Sequence, residues 1–298
     1  MVHEGDTLVG NYRLMRLLGQ GRFGQVWEAS REDGGRVALK MPLPGQSGWS
    51  PRHMQREFVA LRQVQHPNVV QAIDLLPSGG GLALELVDGV DLLEWVRGDL
   101  QAEVNVAPRK NLPMVFGQVL QEEGTSAFQR CSDEGLRRLL SAIGSLASAL
   151  ASIHKAGWIH LDLTPANLRV TTAGRPLVLD MGLAVQAAEL PAGKDMPDRL
   201  IGSAPYLAPE LGASPPSFAC DWYSFGVVVF EALTGQLPFE GGGPDVFVRK
   251  RSIEAPRARE LVSGVPSKLD EACARWLARS PLRRAGYDEA VKLLETSS

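Results

Sequence analysis

The sequence predicts an α+β fold, in which a small antiparallel sheet with one helix precedes a larger and mostly helical part. Three observations lead to this prediction. Short apolar segments bounded by glycine fill residues 12–41, a helical apolar pattern covers residues 52–65, and a long amphipathic helix covers residues 136–153. Of the 298 residues, 44% are hydrophobic, so the chain can bury a sizeable core.

The sheet is predicted from short strands that glycine-containing turns separate. We expect these strands over Tyr12–Leu18, Gln25–Ser30, Arg36–Met41, Val69–Pro77 and Gly81–Val87. A helix over residues 52–65 interrupts the series, because Met54, Phe58 and Leu61 recur near helical spacing. The first predicted unit therefore spans residues 12–87.

Helices dominate residues 88–298, which we predict as the second unit. They are expected over Leu92–Arg97, Leu136–Ile153, a buried run that ends near Leu233, Leu269–Ala278 and Tyr287–Leu294. Residues 98–133 have little periodicity, and we interpret them as an insertion. A tolerated surface loop, a docking element for a partner, a flap near residues 85–87 and a disordered segment all stay open for it.

Charge and composition exclude several classes of function. The chain has 31 Lys plus Arg and 34 Asp plus Glu, so its net charge of −3 gives no argument for nucleic acid or a membrane surface. The basic run Arg249–Arg251 is expected to be a solvated helix face. No run of 18 apolar residues is present, so no membrane span is predicted. The opening residues are not apolar, so no secretory signal is expected. The three cysteines are scattered, which is typical of reduced thiols in the cytoplasm. The oligomeric state stays open.

The chemistry concentrates in residues 154–182. Asp162 follows His160, and Asn167 comes five residues after Asp162. Asp180 ends the apolar run that starts at Pro176, and a turn joins this run to the preceding strand, which starts directly after Asn167. Asn167 and Asp180 can therefore lie at adjacent ends of one hairpin. Two oxygen ligands there suit Mg²⁺, which takes few protein ligands and leaves room for phosphate.

A glycine-rich turn lies between the first two predicted strands. Gly19, Gly21 and Gly24 would let the backbone approach phosphate oxygens without a clash from Cβ. This pattern alone is weak, since dinucleotide-binding folds also use it, but there a helix follows the glycines. Here a strand follows, and Lys40 lies fourteen residues after Val26 on the next strand.

Taken together, these motifs resemble those of protein kinases. The segments that carry the resemblance are Gly19–Val26, Val37–Lys40, His66–Val70, His160–Asn167, Asp180–Gly182, Gly202–Glu210 with its A-P-E motif, Asp221–Gly226 and Arg284. The sequence is similar to the bacterial type of Hanks Ser/Thr kinases from residue 12 to about residue 295. The resemblance implies a bilobal protein-kinase fold, ATP and Mg²⁺ as cofactors, and phosphoryl transfer to Ser or Thr hydroxyls of a protein substrate.

The resemblance also implies roles for polar residues. Asp162 would accept or orient the proton of the substrate hydroxyl, and Lys40, held by Glu57, would position the α- and β-phosphates. Asn167 and Asp180 would hold Mg²⁺. Gly202–Glu210 would include the loop that contacts the substrate residue after the acceptor. Arg284 would pair with Glu210.

The implied nucleotide site combines the glycine-rich turn with the chain that joins the two units. Its residues are Leu18, Gly19, Gly21, Gly24, Val26, Ala38, Lys40, Glu85, Val87, Asp91 and Arg169. The backbone of Glu85 and Val87 would bond adenine, and Asp91 would contact ribose. Leu84 stands at the gatekeeper position.

Three residues depart from the family pattern. Leu161 replaces an arginine that pairs with a loop phosphate, Thr164 replaces a lysine near the γ-phosphate, and Arg169 replaces an apolar floor under adenine. We predict that the Arg169 guanidinium either stacks under adenine or bends out to solvent. A slow kinase is the main interpretation, and a pseudokinase that acts as a nucleotide-binding scaffold or allosteric partner is the alternative.

The segment after Gly182 predicts an unusual form of regulation. No Ser, Thr or Tyr lies between Gly182 and Gly202, so activation by loop phosphorylation is not expected. Glu189, Asp195 and Asp198 are acids that would supply a fixed charge instead, or simply face solvent.

Overall fold

A computed structural model describes residues 8–295 except 22–23, 44–50, 78–79, 104–128, 191–203 and 242. These residues form a six-stranded antiparallel sheet with one helix, followed by a mostly helical part with two small sheets. This is the predicted α+β fold. The predicted boundary near residue 87 falls between the last strand of the large sheet, which ends at Glu85, and the next strand, which begins at Gly89.

The large sheet has the strand order β1-β2-β3-β4-β6-β5. Its strands are β1 Leu8–Val9, β2 Tyr12–Gln20, β3 Gln25–Arg31, β4 Arg36–Met41, β5 Ala72–Leu75 and β6 Leu82–Glu85. In the ladders, Val26 pairs with Lys40, and Ala38 pairs with Leu84. Residues directly opposite each other, and residues two apart in a strand, share a face. Val26, Ala38, Lys40 and Leu84 therefore lie on one face of the sheet.

Helix α1, Pro51–Gln63, carries an acidic residue on its buried side. Met54, Glu57, Ala60 and Leu61 are buried, which is the stripe expected of a helix packed on a sheet. Glu57 is fully buried among apolar neighbours. A buried carboxylate needs a partner, and the site below supplies one.

The helical part is built around two long helices. Its helices are α2 Leu92–Glu103, α3 Asp133–Lys155, α4 Phe218–Thr234, α5 Gly243–Ser252, α6 Ala258–Leu261, α7 Ser267–Trp276 and α8 Tyr287–Glu295. Most of α4 is buried, and Gly235 ends it in the left-handed conformation (φ 80°) that glycine adopts without a Cβ clash. The Ser132 side chain caps α3 by accepting a hydrogen bond from the Gly135 N–H.

By length and composition, α3 is the one helix in the described ranges that is apolar enough to cross a membrane. It packs against α2, α4 and α8, and nine of its residues are buried. This is the pattern of the core helix of a helical lobe, so its apolar character is explained by packing.

Two predictions about the helical part are corrected. Helix α2 continues past Arg97 to Glu103, although Gly98 weakens the helical pattern there. At the other end of the predicted insertion, the backbone N–H groups of Gln129 and Cys131 donate to the last turn of α4, and Cys131 is buried. The range 98–133 is therefore too wide for an insertion; residues 104–128 lie outside the described chain.

The small sheets hold the loops that carry the chemistry. Their strands are β7 Gly89–Asp91, β8 Trp158–Ile159, β9 Leu168–Thr171, β10 Pro176–Val178 and β11 Val185–Gln186. The predicted hairpin is β9–β10, and β7 pairs with β9 so that Asp91 lies opposite Arg169. Strand β11, just after the Asp180 turn, pairs with β8, just before the His160 loop.

The prediction that Arg249–Arg251 forms a solvated helix face is wrong for Lys250, because this residue is buried.

Candidate active site

The loop that contains Asp162 is fixed from below by a buried carboxylate on α4. Asp221 accepts hydrogen bonds from the backbone N–H groups of His160 and Leu161, both at 2.8 Å, and lies 2.8 Å from Nε2 of His154. Leu161 has a left-handed φ of 63°, a conformation that costs non-glycine residues about 1–3 kcal/mol. The two bonds to Asp221 hold this strained turn in place.

Sequence reasoning missed the role of Asp221, although it used the residue as a landmark. The signal was present, because Asp221 is an acidic residue in a predominantly apolar helix. Such a residue must find partners when the helix is buried. What the sequence does not show is that the partners are two backbone N–H groups and His154.

Asp162 is held by the amide of Asn167. The Asn167 Nδ2 donates to the Asp162 carbonyl at 2.8 Å and to its Oδ2 at 2.9 Å. Burial raises the pKa of Asp162 to about 7, and the charge of Asp180 adds to this effect, whereas Asn167 and Lys40 oppose it. The Asp162 carboxylate therefore lies in an environment that favours taking up a proton, as the predicted base requires.

One ammonium group joins two carboxylates from different elements. Lys40 Nζ donates to Glu57 Oε1 at 2.9 Å and Oε2 at 3.0 Å, and to Asp180 Oδ1 at 2.7 Å. Burial lowers the pKa of Lys40, but the two carboxylates together outweigh it, so the pKa is raised. Burial raises the pKa of Glu57 to about 8, against the effect of Lys40. The ion pair that the sequence predicts between strand and helix is thus present, with Asp180 as a third member.

The D-M-G turn aims Asp180 at this lysine. Asp180 has a left-handed φ of 52°, and its Oδ1 accepts a hydrogen bond from the Gly182 N–H at 2.9 Å. Met181 is buried in the core, where the family has a phenylalanine. Burial raises the pKa of Asp180, but Lys40 and the Gly182 N–H lower it more, so the carboxylate is held in its charged form.

The donor set at this site fits Mg²⁺. Because the Asn167 nitrogen is bonded to Asp162, the amide oxygen is the atom that can act as a ligand, together with the Asp180 carboxylate. The single ammonium group of Lys40 contacts two carboxylates, those of Glu57 and Asp180, so a divalent cation would help to balance the charge. Among the described residues, no group of three or more His, Cys, Asp or Glu could hold a metal alone. A site completed by phosphate and water oxygens suits Mg²⁺.

The glycine-rich turn has a packing requirement of its own. The Gly21 N–H donates to the Gly24 carbonyl at 2.8 Å, and residues 22–23 lie outside the described chain. A Cβ on Gly24 would lie 2.3 Å from the Met41 carbonyl oxygen, so only glycine fits there. Gly19 pairs with Val26 in the ladder, and Leu18 is partly exposed beside it. Their roles in nucleotide binding stay predictions.

The chain that joins the two units is held by Arg175, which lies in the turn of the β9–β10 hairpin. Arg175 binds the Glu85 carboxylate and also donates to the Pro67 carbonyl at 3.1 Å. The Glu85 N–H is already bonded to the Gln71 carbonyl at 2.9 Å. Asp91 Oδ1 accepts a hydrogen bond from the Glu94 N–H at 2.8 Å, so Asp91 also supports the first turn of α2. Contacts of Glu85, Val87 and Asp91 with a nucleotide stay predictions.

Arg169 is held by a partner that the sequence did not reveal. Its Nη2 donates to the Gly89 carbonyl, and its buried Nε has no partner among the described residues. The prediction that the guanidinium bends out to solvent is therefore wrong, because the Gly89 contact holds it at the end of the connecting chain. Stacking under adenine stays a prediction. Thr164 is buried, and its carbonyl accepts the Asn167 N–H at 3.0 Å in the turn Pro165–Asn167.

The start of the segment after Asp180 contacts α1. Glu189 Oε2 lies 3.1 Å from Nη2 of Arg56, the residue that precedes Glu57. Both side chains of this pair are well exposed. An exposed pair of this kind contributes little to stability, typically about 0–1 kcal/mol. Asp195 and Asp198 lie outside the described residues. Further along, Arg284 binds both oxygens of Glu210, at 2.6 and 3.0 Å, as the family resemblance predicts.

Comparisons with known proteins agree with this geometry. A sequence model described as the protein kinase domain matches residues 12–293. Serine/threonine-protein kinase PknA of Mycobacterium tuberculosis is 31% identical over 291 residues, which cover 94% of this chain and 59% of that protein. Serine/threonine-protein kinase PkaB of Streptomyces coelicolor is 29% identical over 292 residues, which cover 93% and 61%. Serine/threonine-protein kinase pkn2 of Myxococcus xanthus is 32% identical over 264 residues, which cover 84% and 28%.

The chain spans about three fifths or less of the length of these relatives, and the region that they share is the kinase domain. The match to the family covers nearly every element described above, from β2 to α8. The chain therefore belongs to the protein kinase domain family.

Proposed function

We propose that this chain is a Ser/Thr protein kinase that transfers the γ-phosphoryl group of MgATP to hydroxyl groups of a protein substrate. The observation that carries the proposal is the buried Lys40, which bonds Glu57 and Asp180 at the same time. This arrangement joins the sheet, helix α1 and the D-M-G turn in one polar cluster. The names of the relatives support the same activity.

Each residue of the cluster has a part in this reaction. Lys40 donates hydrogen bonds to the α- and β-phosphates, and Glu57 keeps its ammonium group in place. Mg²⁺, when held by Asn167 and Asp180, neutralises charge on the phosphates. Asp162 orients the acceptor hydroxyl and takes its proton. The protein thus contributes positioning and charge neutralisation, with no covalent intermediate on the enzyme.

Two departures from the family shape the proposed activity. Thr164 offers a hydroxyl where a lysine would place a positive charge near the transferred group, so we expect slow transfer. Leu161 cannot pair with a phosphate, and no hydroxyl residue lies between Gly182 and Gly202. Loop phosphorylation therefore does not activate the enzyme. A cytoplasmic location is part of the proposal, and the described cysteines, all free thiols, agree with it.

The test is transfer of radiolabelled phosphate from ATP to a generic basic protein and to the chain itself, in the presence of Mg²⁺. The Lys40→Met variant serves as the control for contaminating kinases. Transfer by the wild type and none by the variant supports the proposal. Binding of MgATP without transfer to either acceptor would instead support the pseudokinase alternative.

A further inference from the structure

The chain from Ala204 to Leu211, named here the anchored segment, contains no helix and no strand longer than a single bridge. Its eight carbonyl groups therefore cannot be satisfied by a regular ladder and need other donors. The structure supplies a donor for each of them. The sources of these donors show what holds the segment in place.

Most of the donors are side chains of two helices. Lys250 Nζ donates to the carbonyls of Ala204, Pro205 and Leu207, at 3.0, 2.6 and 2.7 Å. Arg251 donates to those of Pro209 and Leu211, at 2.7 and 3.0 Å, and Ser224 Oγ to that of Tyr206 at 2.8 Å. The carbonyls of Ala208 and Glu210 accept local backbone N–H groups. Helix α5 alone thus supplies five hydrogen bonds to the segment.

Lys250 is built into this position. It is 1% exposed, and its ammonium lies 5.3 Å from the Tyr223 ring centre and 5.7 Å from that of Phe247. Burial lowers the pKa of Lys250 to about 7, although the Glu210 carboxylate opposes this shift. Only the charged lysine has three N–H donors, and three carbonyls receive them. A buried ammonium group is costly unless it is paired in this way.

The anchored segment and the Asp162 loop share one support. Asp221 of α4 binds the loop backbone at His160 and Leu161, and Ser224, one turn later on the same helix, binds the segment at Tyr206. The segment is therefore fixed relative to the proposed base by α4 on one side and by α5 on the other. The resemblance implies that this segment includes the loop that contacts the substrate residue after the acceptor, so the proposed function puts its backbone next to the bound protein substrate.

We propose that Lys250 is a positioning residue for the protein substrate, because its ammonium group holds the anchored segment in the shape that receives the residues next to the acceptor hydroxyl. The proposal rests on the proposed kinase function. It gives a buried lysine that touches neither nucleotide nor metal ligands a part in substrate recognition.

The test compares Lys250→Met with Arg249→Gln, a matched control on the same helix whose side chain is exposed. For Lys250→Met we expect KM for a peptide substrate to rise by at least about tenfold. A small misplacement of a substrate can lower the reaction rate by about 100-fold, so a displaced positioning group has a large effect. KM for ATP should stay within about twofold, since a change confined to peptide binding leaves nucleotide binding alone. Arg249→Gln should match the wild type in both constants.

Hydrogen exchange of residues 204–211 provides a readout that does not depend on activity. Exchange there should become faster in Lys250→Met and stay unchanged in α3, which shows that the fold is intact. Lys250→Arg keeps the charge and the hydrogen-bond donors, so its KM for the peptide should lie between those of the wild type and Lys250→Met. Lys250→Gln should raise this KM less than Lys250→Met does, and it replaces Lys250→Met in the test if that variant does not fold.

An unchanged peptide KM, or an unchanged exchange rate in 204–211, would overturn the proposal. Failure of the wild type to phosphorylate any protein would instead count against the kinase function, and the exchange measurement would still show whether Lys250 holds the segment.

Discussion

Single residues determine the chemistry of the site, and the buried Lys40 is the one that most needs charged partners. Its ammonium group is shared between Glu57 and Asp180, so removing Lys40 would leave both carboxylates without this partner, whereas removing one carboxylate leaves the lysine paired with the other. An unpaired buried charge costs far more than the pair contributes. A substitution in this cluster therefore changes both the activity and the balance of buried charges.

We expect Asp162→Asn to abolish phosphoryl transfer while MgATP affinity stays within a few-fold. The reason is that Asp162, which the Asn167 amide holds, is proposed to face the acceptor hydroxyl, whereas Lys40 is proposed to contact the phosphates and Asp180 to hold Mg²⁺. General base catalysis contributes about 10²-fold or more. Single-turnover transfer at saturating MgATP is the measurement, and retention of more than roughly a tenth of the wild-type rate would exclude this role.

Lys40→Met should lose most of the transfer rate, and Glu57→Gln should lose less. Lys40 would touch phosphate directly, whereas Glu57 only holds the ammonium group at 2.9–3.0 Å. Steady-state rates and ATP affinities of both variants test this order. Full activity of Glu57→Gln would show that orientation of Lys40 does not depend on α1.

Thr164→Lys should increase the rate of transfer from the saturated complex by roughly tenfold, if one charge-assisted contact of about 1.4 kcal/mol is restored near the transferred group. Single-turnover kinetics with saturating MgATP measure it. Thr164→Ser keeps the hydroxyl and serves as the control. A neutral or slower lysine variant would mean that the missing charge does not limit this enzyme.

Among the elements, the described parts of the segment after Asp180 are held by contacts with three other elements. Strand β11 pairs with β8, Glu189 contacts Arg56 on α1, and α5 holds the segment from Ala204 onwards. These contacts attach the described parts of the segment, residues 183–190 and 204–211, to the rest of the fold.

Phosphatase treatment should leave activity unchanged. No hydroxyl residue lies in 183–202, and Leu161 offers no charge to a phosphate. The assay compares treated and untreated enzyme, with mass spectrometry to map any phosphosite. A large loss of activity traced to Ser203 would contradict the prediction.

How far the sequence predicts this structure depends on whether a contact joins motifs of the family resemblance. The Lys40–Glu57 pair was predictable, because a strand lysine, a helical glutamate and the landmark His66–Val70 lie at fixed spacings. The Gly89 partner of Arg169 was not, since it comes from the pairing of β7 with β9, 80 residues apart in sequence. Lys250 is wrongly predicted from the sequence as a solvated residue, because its partners lie more than 40 residues away.

At the scale of the whole molecule, a buried ion pair joins two stretches of the helical part that lie 74 residues apart in sequence. The Arg284 side chain is fully buried, and it binds both oxygens of Glu210 and the Ala219 carbonyl. The pair ties the chain between α7 and α8 to the end of the anchored segment.

Arg284→Met should lower the free energy of unfolding by about 3–5 kcal/mol, because the Glu210 carboxylate would remain buried without its partner. Urea unfolding followed by circular dichroism measures this change. Arg283→Met, at an exposed neighbouring arginine, should change stability by no more than about 0.5 kcal/mol. Equal effects of the two substitutions would show that the buried pair does not stabilise the fold.

Helix α4 supports both the Asp162 loop and the anchored segment, and none of its residues has a proposed contact with substrate. In a random mutagenesis screen, we therefore expect inactivating changes to cluster in this helix as densely as in the polar cluster itself. Cavity-forming substitutions at Phe225 or Phe230 would displace both supports at once. Two distant functions, proton removal and substrate recognition, would then decline together in variants whose reacting groups are all intact.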